Sequence, residues 1–151
     1  MPKYKVIFVD FDDTLCVHTE YLNNKYKQFL FCDPETMCEK IYRSSLVNHI
    51  LLTKLTQLKN EYNAHVILIS SANSLLLDAK KHWCMQHCPD LFDQFISSSI
   101  ELTKANIILS YCTHEHLNER EVLFVDDSWR EREQALHMNI HAVTPQEIML
   151  S

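Results

Sequence analysis

The chain has 151 residues, enough for one domain with a full core, and 46% of them are hydrophobic, which excludes a disordered polymer. Its formal net charge of -6 argues against a general nucleic-acid binder, and no apolar run is long enough to span a bilayer. Glycine is absent altogether, so no glycine-rich phosphate loop of any kind can exist here.

The run Val6-Ile7-Phe8-Val9 is continuous, apolar and rich in β-branched residues, as expected of a strand buried on both faces of a parallel sheet. Asp10 follows at its carboxyl end. The stretch 16–45 mixes aromatics, acids and the turn signal Cys32-Asp33-Pro34, with a short helical piece near Met37 to Arg43; it reads as a flap or small cap. Leu46, Val47, Ile50, Leu51, Leu55 and Leu58 recur at helical spacing and predict a helix over 45–61. Val66-Ile67-Leu68-Ile69 is a second buried strand, ending at Ser70. Asn73 or Ser74 opens a helix that stops near Cys88-Pro89.

A short strand is predicted at 94–97 and a helix from Thr103 to about Tyr111. Val122-Leu123-Phe124-Val125 is another buried strand, ending at Asp126-Asp127. A helix over 129–137, a strand over 140–143 and a helix after Thr144-Pro145-Gln146-Glu147 complete the chain. Strands alternating with helices predict one Rossmann-like three-layer α/β/α domain over 1–151 with a mainly parallel sheet. Trp83, Trp129 and the methionines at helical spacing are assigned to the core, and Tyr21, Tyr26 and Phe29 to packing within the flap.

In such sheets a site lies beyond the carboxyl ends of the strands. Three strand ends carry polar groups: Asp10-Phe11-Asp12, Ser70-Ser71 and Asp126-Asp127. Four carboxylates at one edge repel, and a hard divalent cation with oxygen ligands resolves the conflict; magnesium fits. Lys104, at a helix start near the same edge, can pair with a carboxylate and a phosphoryl group. A nucleophile candidate, a second acid, a cation site, a lysine and a hydroxyl are the parts that phosphoryl transfer needs.

With its motifs in this order, the chain resembles the haloacid dehalogenase superfamily of phosphohydrolases, in a minimal-cap form. The first motif is Val9-Asp10-Phe11-Asp12-Asp13-Thr14-Leu15 and the second Ile69-Ser70. The third is Lys104, with Lys80 and Lys81 as substitutes, and the fourth is Phe124-Val125-Asp126-Asp127. The resemblance implies that Asp10 attacks phosphorus and that Asp12 serves as acid and then base. It implies magnesium on Asp10, the Asp12 carbonyl and Asp127, with Asp126 either a ligand or a support for one. Ser70 would bind the phosphoryl oxygens, with Ser71 able to trade roles; Lys104 would neutralise charge and Thr14 support the turn. Asp126 stands where many members have glycine, and Ala105 where many have proline after the lysine. An aspartate at Asp12 favours a phosphatase or phosphotransferase over a dehalogenase or an ATP-driven pump.

No room remains for a large cap between Ser70 and Lys104, and an open site suits a macromolecular substrate. The acidic balance favours a phosphoprotein carrying phosphotyrosine or phosphoserine over nucleic acid; a small metabolite or nucleotide phosphatase is the alternative. A signalling receiver domain uses similar groups in a different order, and a phospho-accepting or binding module without turnover is the other class to compare. Glu131, four residues after Asp127, is either a group orienting a metal-bound water or part of a solvated face. The six cysteines read as thiols of a reducing compartment, although His82, Cys84, His87 and Cys88, or Cys112, His114 and His116, could be read as zinc ligands. The start of the chain shows no cleavage-site pattern, and the expectation is a cytoplasmic monomer or weak homodimer without membrane partners.

Overall fold

A computed structural model describes residues 4–18 and 32–151. In chain order the elements are β1 (Val6–Val9), β2 (Cys16–His18), α1 (Pro34–Ile41), β3 (Ser45–Val47), α2 (His49–Tyr62), β4 (His65–Ser71) and α3 (Ser74–His87). There follow β5 (Gln94–Ser98), α4 (Lys104–His114), β6 (Val122–Val125), α5 (Trp129–His137), β7 (His141–Val143) and α6 (Pro145–Met149), with a 3-10 turn at Glu119–Glu121. The main sheet has the order β5-β4-β1-β6-β7, and every pairing in it is parallel.

The strands are continuously apolar because both faces are covered. Ile7, Val9, Val66, Leu68, Leu123 and Val125 pack in one core with Leu51 and Leu55 of α2, Trp83 of α3 and Ile148 of α6. Val6, Phe8, Ile67, Ile69, Val122 and Phe124 point the other way, onto Ile107 and Ile108 of α4 and Ala135 of α5. The strand period of two thus feeds two cores, which is the three-layer architecture that alternating elements predict. With all strands parallel, their carboxyl ends share one edge.

Helix ends follow the side-chain chemistry. Asp33, Asn73, Thr103, Ser128 and Thr144 each accept a backbone N–H from the first turn. Cys32-Asp33-Pro34 is therefore a helix start, with proline in the first turn of α1. The predicted helix over 45–61 begins later. Ser45–Val47 pairs antiparallel with Cys16–His18, and Asn48 caps α2 instead. Helical spacing had run on through Leu46 and Val47, but an extended partner in the 16–18 segment claims them.

Within the stretch read as a flap, β2 and β3 form a two-stranded ribbon, and α1 buries Met37, Cys38 and Ile41 in the core shared with Trp83. The flap residues Tyr21, Tyr26 and Phe29 lie outside the described residues. Trp83 is buried as expected, but Trp129 is 68% exposed, because it occupies the first position of α5, above the strand edge. Met37 is buried and Met85 exposed, so the methionines divide. All six cysteines are free thiols.

A chain without glycine must place other residues in the left-handed region. Asp13, Asn63, His116 and Asn139 take φ values of 58°, 50°, 55° and 61°. Aspartate and asparagine tolerate this region best after glycine. Asn63 ends α2, its N–H returning to the Lys59 carbonyl. Asn63→Gly and Asn139→Gly are each expected to stabilise the protein by about 0.5–1 kcal/mol in urea unfolding, and Asn63→Ala to cost about 1 kcal/mol.

Candidate active site

The site begins with the turn after β1. The Asp10 N–H continues the ladder to Val125, and the carbonyl of Phe11 then accepts from Thr14, Leu15 and Cys16. This tight return, made possible by Asp13 in the left-handed region, sets Asp10, Asp12 and Thr14 around one loop. The fully buried Thr14 donates its hydroxyl to Asp10 Oδ2 at 2.9 Å and lies 3.3 Å from Asp127 Oδ1.

β6 delivers Asp126 and Asp127 to the same place. Ligand oxygens of Asp10, Asp126 and Asp127 all lie within 4.8 Å of one another. Asp126 is fully buried, while the Asp127 side chain reaches solvent. Burial, reinforced by the Asp10 charge, pushes the Asp126 carboxyl up to about 6. Burial and the contact with Asp10, with Asp126 adding, push Asp127 up to about 7.

Lys104, at the start of α4, answers part of this charge. Its Nζ is 2.8 Å from Asp10 Oδ1 and 2.8 Å from Asp126 Oδ2. Burial would lower its pKa, but the two carboxylates overcome burial and hold it above the ordinary lysine value. One ammonium among three carboxylates leaves two formal negative charges, the deficit a divalent cation fills. Asp126 is also fixed by the Ser128 N–H on Oδ1 at 2.8 Å, and Arg132 donates to its carbonyl at 2.9 Å.

Asp12 belongs to a second group. Its Oδ1 lies 2.7 Å from His18 Nε2, and its Oδ2 accepts from Lys80 Nζ at 2.9 Å. Burial alone would raise the Asp12 carboxyl, but His18 and Lys80 outweigh it and hold it below the usual carboxylate value. Lys80 also donates to Ser70 Oγ at 2.6 Å. Ser71 turns the other way, with its hydroxyl 3.0 Å from that of Ser98.

The fold thus gathers the motif residues at one sheet edge in two groups: Asp10, Thr14, Lys104, Asp126 and Asp127 in one, and Asp12 and Ser70, joined through Lys80, in the other. Lys104 meets the nucleophile candidate, as the third motif implies. Lys81 is a surface residue paired with Asp78. Lys80 is no substitute for Lys104 but an addition to it, and a signal for it was present. Leu76, Ala79, Lys80, Trp83 and Cys84 are the buried stripe of α3, and a lysine on an apolar stripe needs a partner. His18 had no such signal, because its contact depends on the β2–β3 ribbon. Glu131, by contrast, has one buried carboxylate oxygen without a hydrogen-bond partner. Among the described residues, neither histidine–cysteine set assembles a metal-binding group; the three aspartates do.

No protein-family profile matches the chain, and no curated protein is significantly similar to it. Solved structures are similar in fold. A haloacid dehalogenase-like hydrolase from Bacteroides fragilis has a TM-score of 0.64 at 18% identity, covering 98% of this chain and 93% of that one. A haloacid dehalogenase-like family hydrolase from Streptococcus pneumoniae has a TM-score of 0.62 at 18% identity, covering 99% and 91%. An enzyme of the same family from Bacteroides thetaiotaomicron, in complex with magnesium and inorganic phosphate, has a TM-score of 0.60 at 14% identity, covering 93% of each chain. The TM-scores and the end-to-end coverage agree: this chain has the fold of the haloacid dehalogenase-like hydrolases.

Proposed function

We propose that the protein is a magnesium-dependent phosphatase that hydrolyses a phosphomonoester through a phosphoaspartyl intermediate on Asp10. The observation that carries this reading is the setting of Asp10. Lys104 holds one of its oxygens and Thr14 the other, beside the two acids of β6. A carboxylate fixed in this way at a strand end is oriented for attack and has its charge partly balanced. The solved B. thetaiotaomicron enzyme of this fold, with magnesium and inorganic phosphate bound, supports the choice of ion.

Asp10, Asp127 and the Asp12 carbonyl would hold the magnesium, with Asp126 as a further ligand or a support. When bound, the ion neutralises negative charge on the phosphoryl group and the carboxylates. In the first step an Asp10 oxygen bonds to phosphorus, the ester P–O bond breaks, and Asp12, which takes up a proton from solvent when the negative phosphoryl group binds beside it, gives that proton to the leaving oxygen. In the second, Asp12 takes a proton from water, whose oxygen attacks phosphorus and frees Asp10 and inorganic phosphate. Ser70 donates to the phosphoryl oxygens, and Lys104 offsets their charge.

A macromolecular phosphomonoester, a phosphoprotein first, is the substrate class proposed. A cavity of about 590 Å³ past the ends of β4 and β5, lined by Ser71, Asn73, Ser98, Thr103 and Arg130 and by none of the proposed catalytic residues, offers room for a chain flanking the phosphate. The exposed Ile100, Leu102 and Trp129 offer apolar contact for a peptide near it. The acidic net charge of -6 supports a protein over a nucleic acid.

The test is a magnesium-dependent phosphatase screen of phosphotyrosine and phosphoserine peptides, nucleotides and sugar phosphates, on wild type and Asp10→Asn. Wild type is expected to release phosphate from the peptides, and Asp10→Asn to lose about 10³-fold or more. Turnover surviving in Asp10→Asn would remove Asp10 as nucleophile; turnover confined to nucleotides or sugar phosphates would move the substrate class. Independently of turnover, magnesium at about 100 times its Kd is expected to raise the melting temperature by about 5–10 °C. Asp127→Asn is expected to abolish that rise.

A further inference from the structure

The four motifs account for Lys104, but not for the second buried lysine. Lys80 is 1% exposed, and its ammonium lies between Asp12 Oδ2, at 2.9 Å, and Ser70 Oγ, at 2.6 Å. It also stands 5.5 Å from the centroid of the Phe11 ring, a favourable place for a cation. A buried lysine is an expensive way to fill a core, since an apolar residue of like volume does so without desolvating a charge. Its neighbours on the α3 stripe, Leu76, Ala79 and Trp83, are apolar. The partners of Lys80 are two groups from two different strand ends, each assigned above to the chemistry.

We propose that Lys80 is a positioning residue: it ties the Asp12 carboxylate to the Ser70 hydroxyl and so fixes the proton-transfer group relative to the phosphoryl-binding group. His18, 2.7 Å from the other Asp12 oxygen, closes the clamp from the β2–β3 ribbon. With a partner at each oxygen, the carboxylate cannot rotate freely about its own bond. Lys80 meets neither Asp10 nor the β6 acids among its hydrogen bonds, so its work is separate from that of Lys104. The inference rests on the phosphatase reading and deepens it: proton delivery to the leaving oxygen depends on Lys80, while attack by Asp10 does not.

That division gives a specific signature. A leaving group that is already a good anion, such as p-nitrophenolate, needs little protonation; a weakly acidic one needs the full contribution of Asp12, which general acid catalysis puts at about 10²–10⁴-fold. The experiment measures kcat and KM of wild type, Lys80→Met, Asp12→Asn and the double variant, with magnesium, on aryl and alkyl phosphates of graded leaving-group acidity. Lys80→Met is expected to lose about 10²-fold in kcat/KM on the least acidic leaving group and only a few-fold in kcat/KM on p-nitrophenyl phosphate, because kcat/KM covers the steps through departure of the leaving group, whereas kcat also contains the water attack that Asp12 assists on every substrate. In the Asp12→Asn background, the same substitution is expected to add little.

Circular dichroism and urea midpoints establish that each variant folds. If Lys80→Met does not fold, His18→Gln carries the same leaving-group test on the other Asp12 oxygen. An equal loss of kcat/KM across the series, or full additivity with Asp12→Asn, would overturn the inference while leaving the phosphatase reading intact. A wild type without turnover on any substrate would overturn both.

Discussion

The ammonium of Lys104 stands 2.8 Å from carboxylates on two neighbouring strands, Asp10 after β1 and Asp126 after β6. Adjacent parallel strands bring these acids together whether or not their charges agree. Without a cation between them, the edge of the sheet would hold an uncompensated buried cluster. The lysine meets part of the charge and the remaining deficit suits a divalent ion, so the geometry of the sheet and the chemistry of the site depend on one another.

A second constraint acts through α3. Its inward stripe supplies Trp83 to the core and Lys80 to the site edge, less than one helical turn apart. The same packing that seats the helix on the sheet therefore aims a cation at Asp12 and Ser70. The ribbon of β2 and β3 does the corresponding work from the other side, carrying His18 to Asp12. Asp12 is thus gripped by elements from two separate parts of the chain, whereas Asp10 is held by its own loop and by α4.

The absence of glycine shapes the local backbone more than the architecture. The turn after β1 needs a left-handed residue, and Asp13 supplies it. A glycine-rich loop being excluded, the polar groups at this edge are side chains at strand ends, such as Ser70, and nearby backbone N–H groups.

Much was legible in the sequence because it rests on local rules. Continuous apolar runs marked β1, β4 and β6 as doubly covered strands, and the acid at the end of each of two of them marked the site edge. Caps at Asn73, Thr103 and Thr144 marked helix starts. The local reading that changed is Cys32-Asp33-Pro34, which starts a helix through the Asp33 cap, while the others depend on the tertiary arrangement. Ser45–Val47 is a strand because Cys16–His18 pairs with it, and Trp129 is exposed because α5 begins above the sheet edge. Thus Asp10, Asp12, Ser70, Lys104 and Asp127 could be named from their places at strand ends and a helix start and from the resemblance of their order to a family's motifs. Which lysine meets which acid could not, since an ion pair spanning 68 residues, as between Lys80 and Asp12, exists only once the chain has packed α3 against β1.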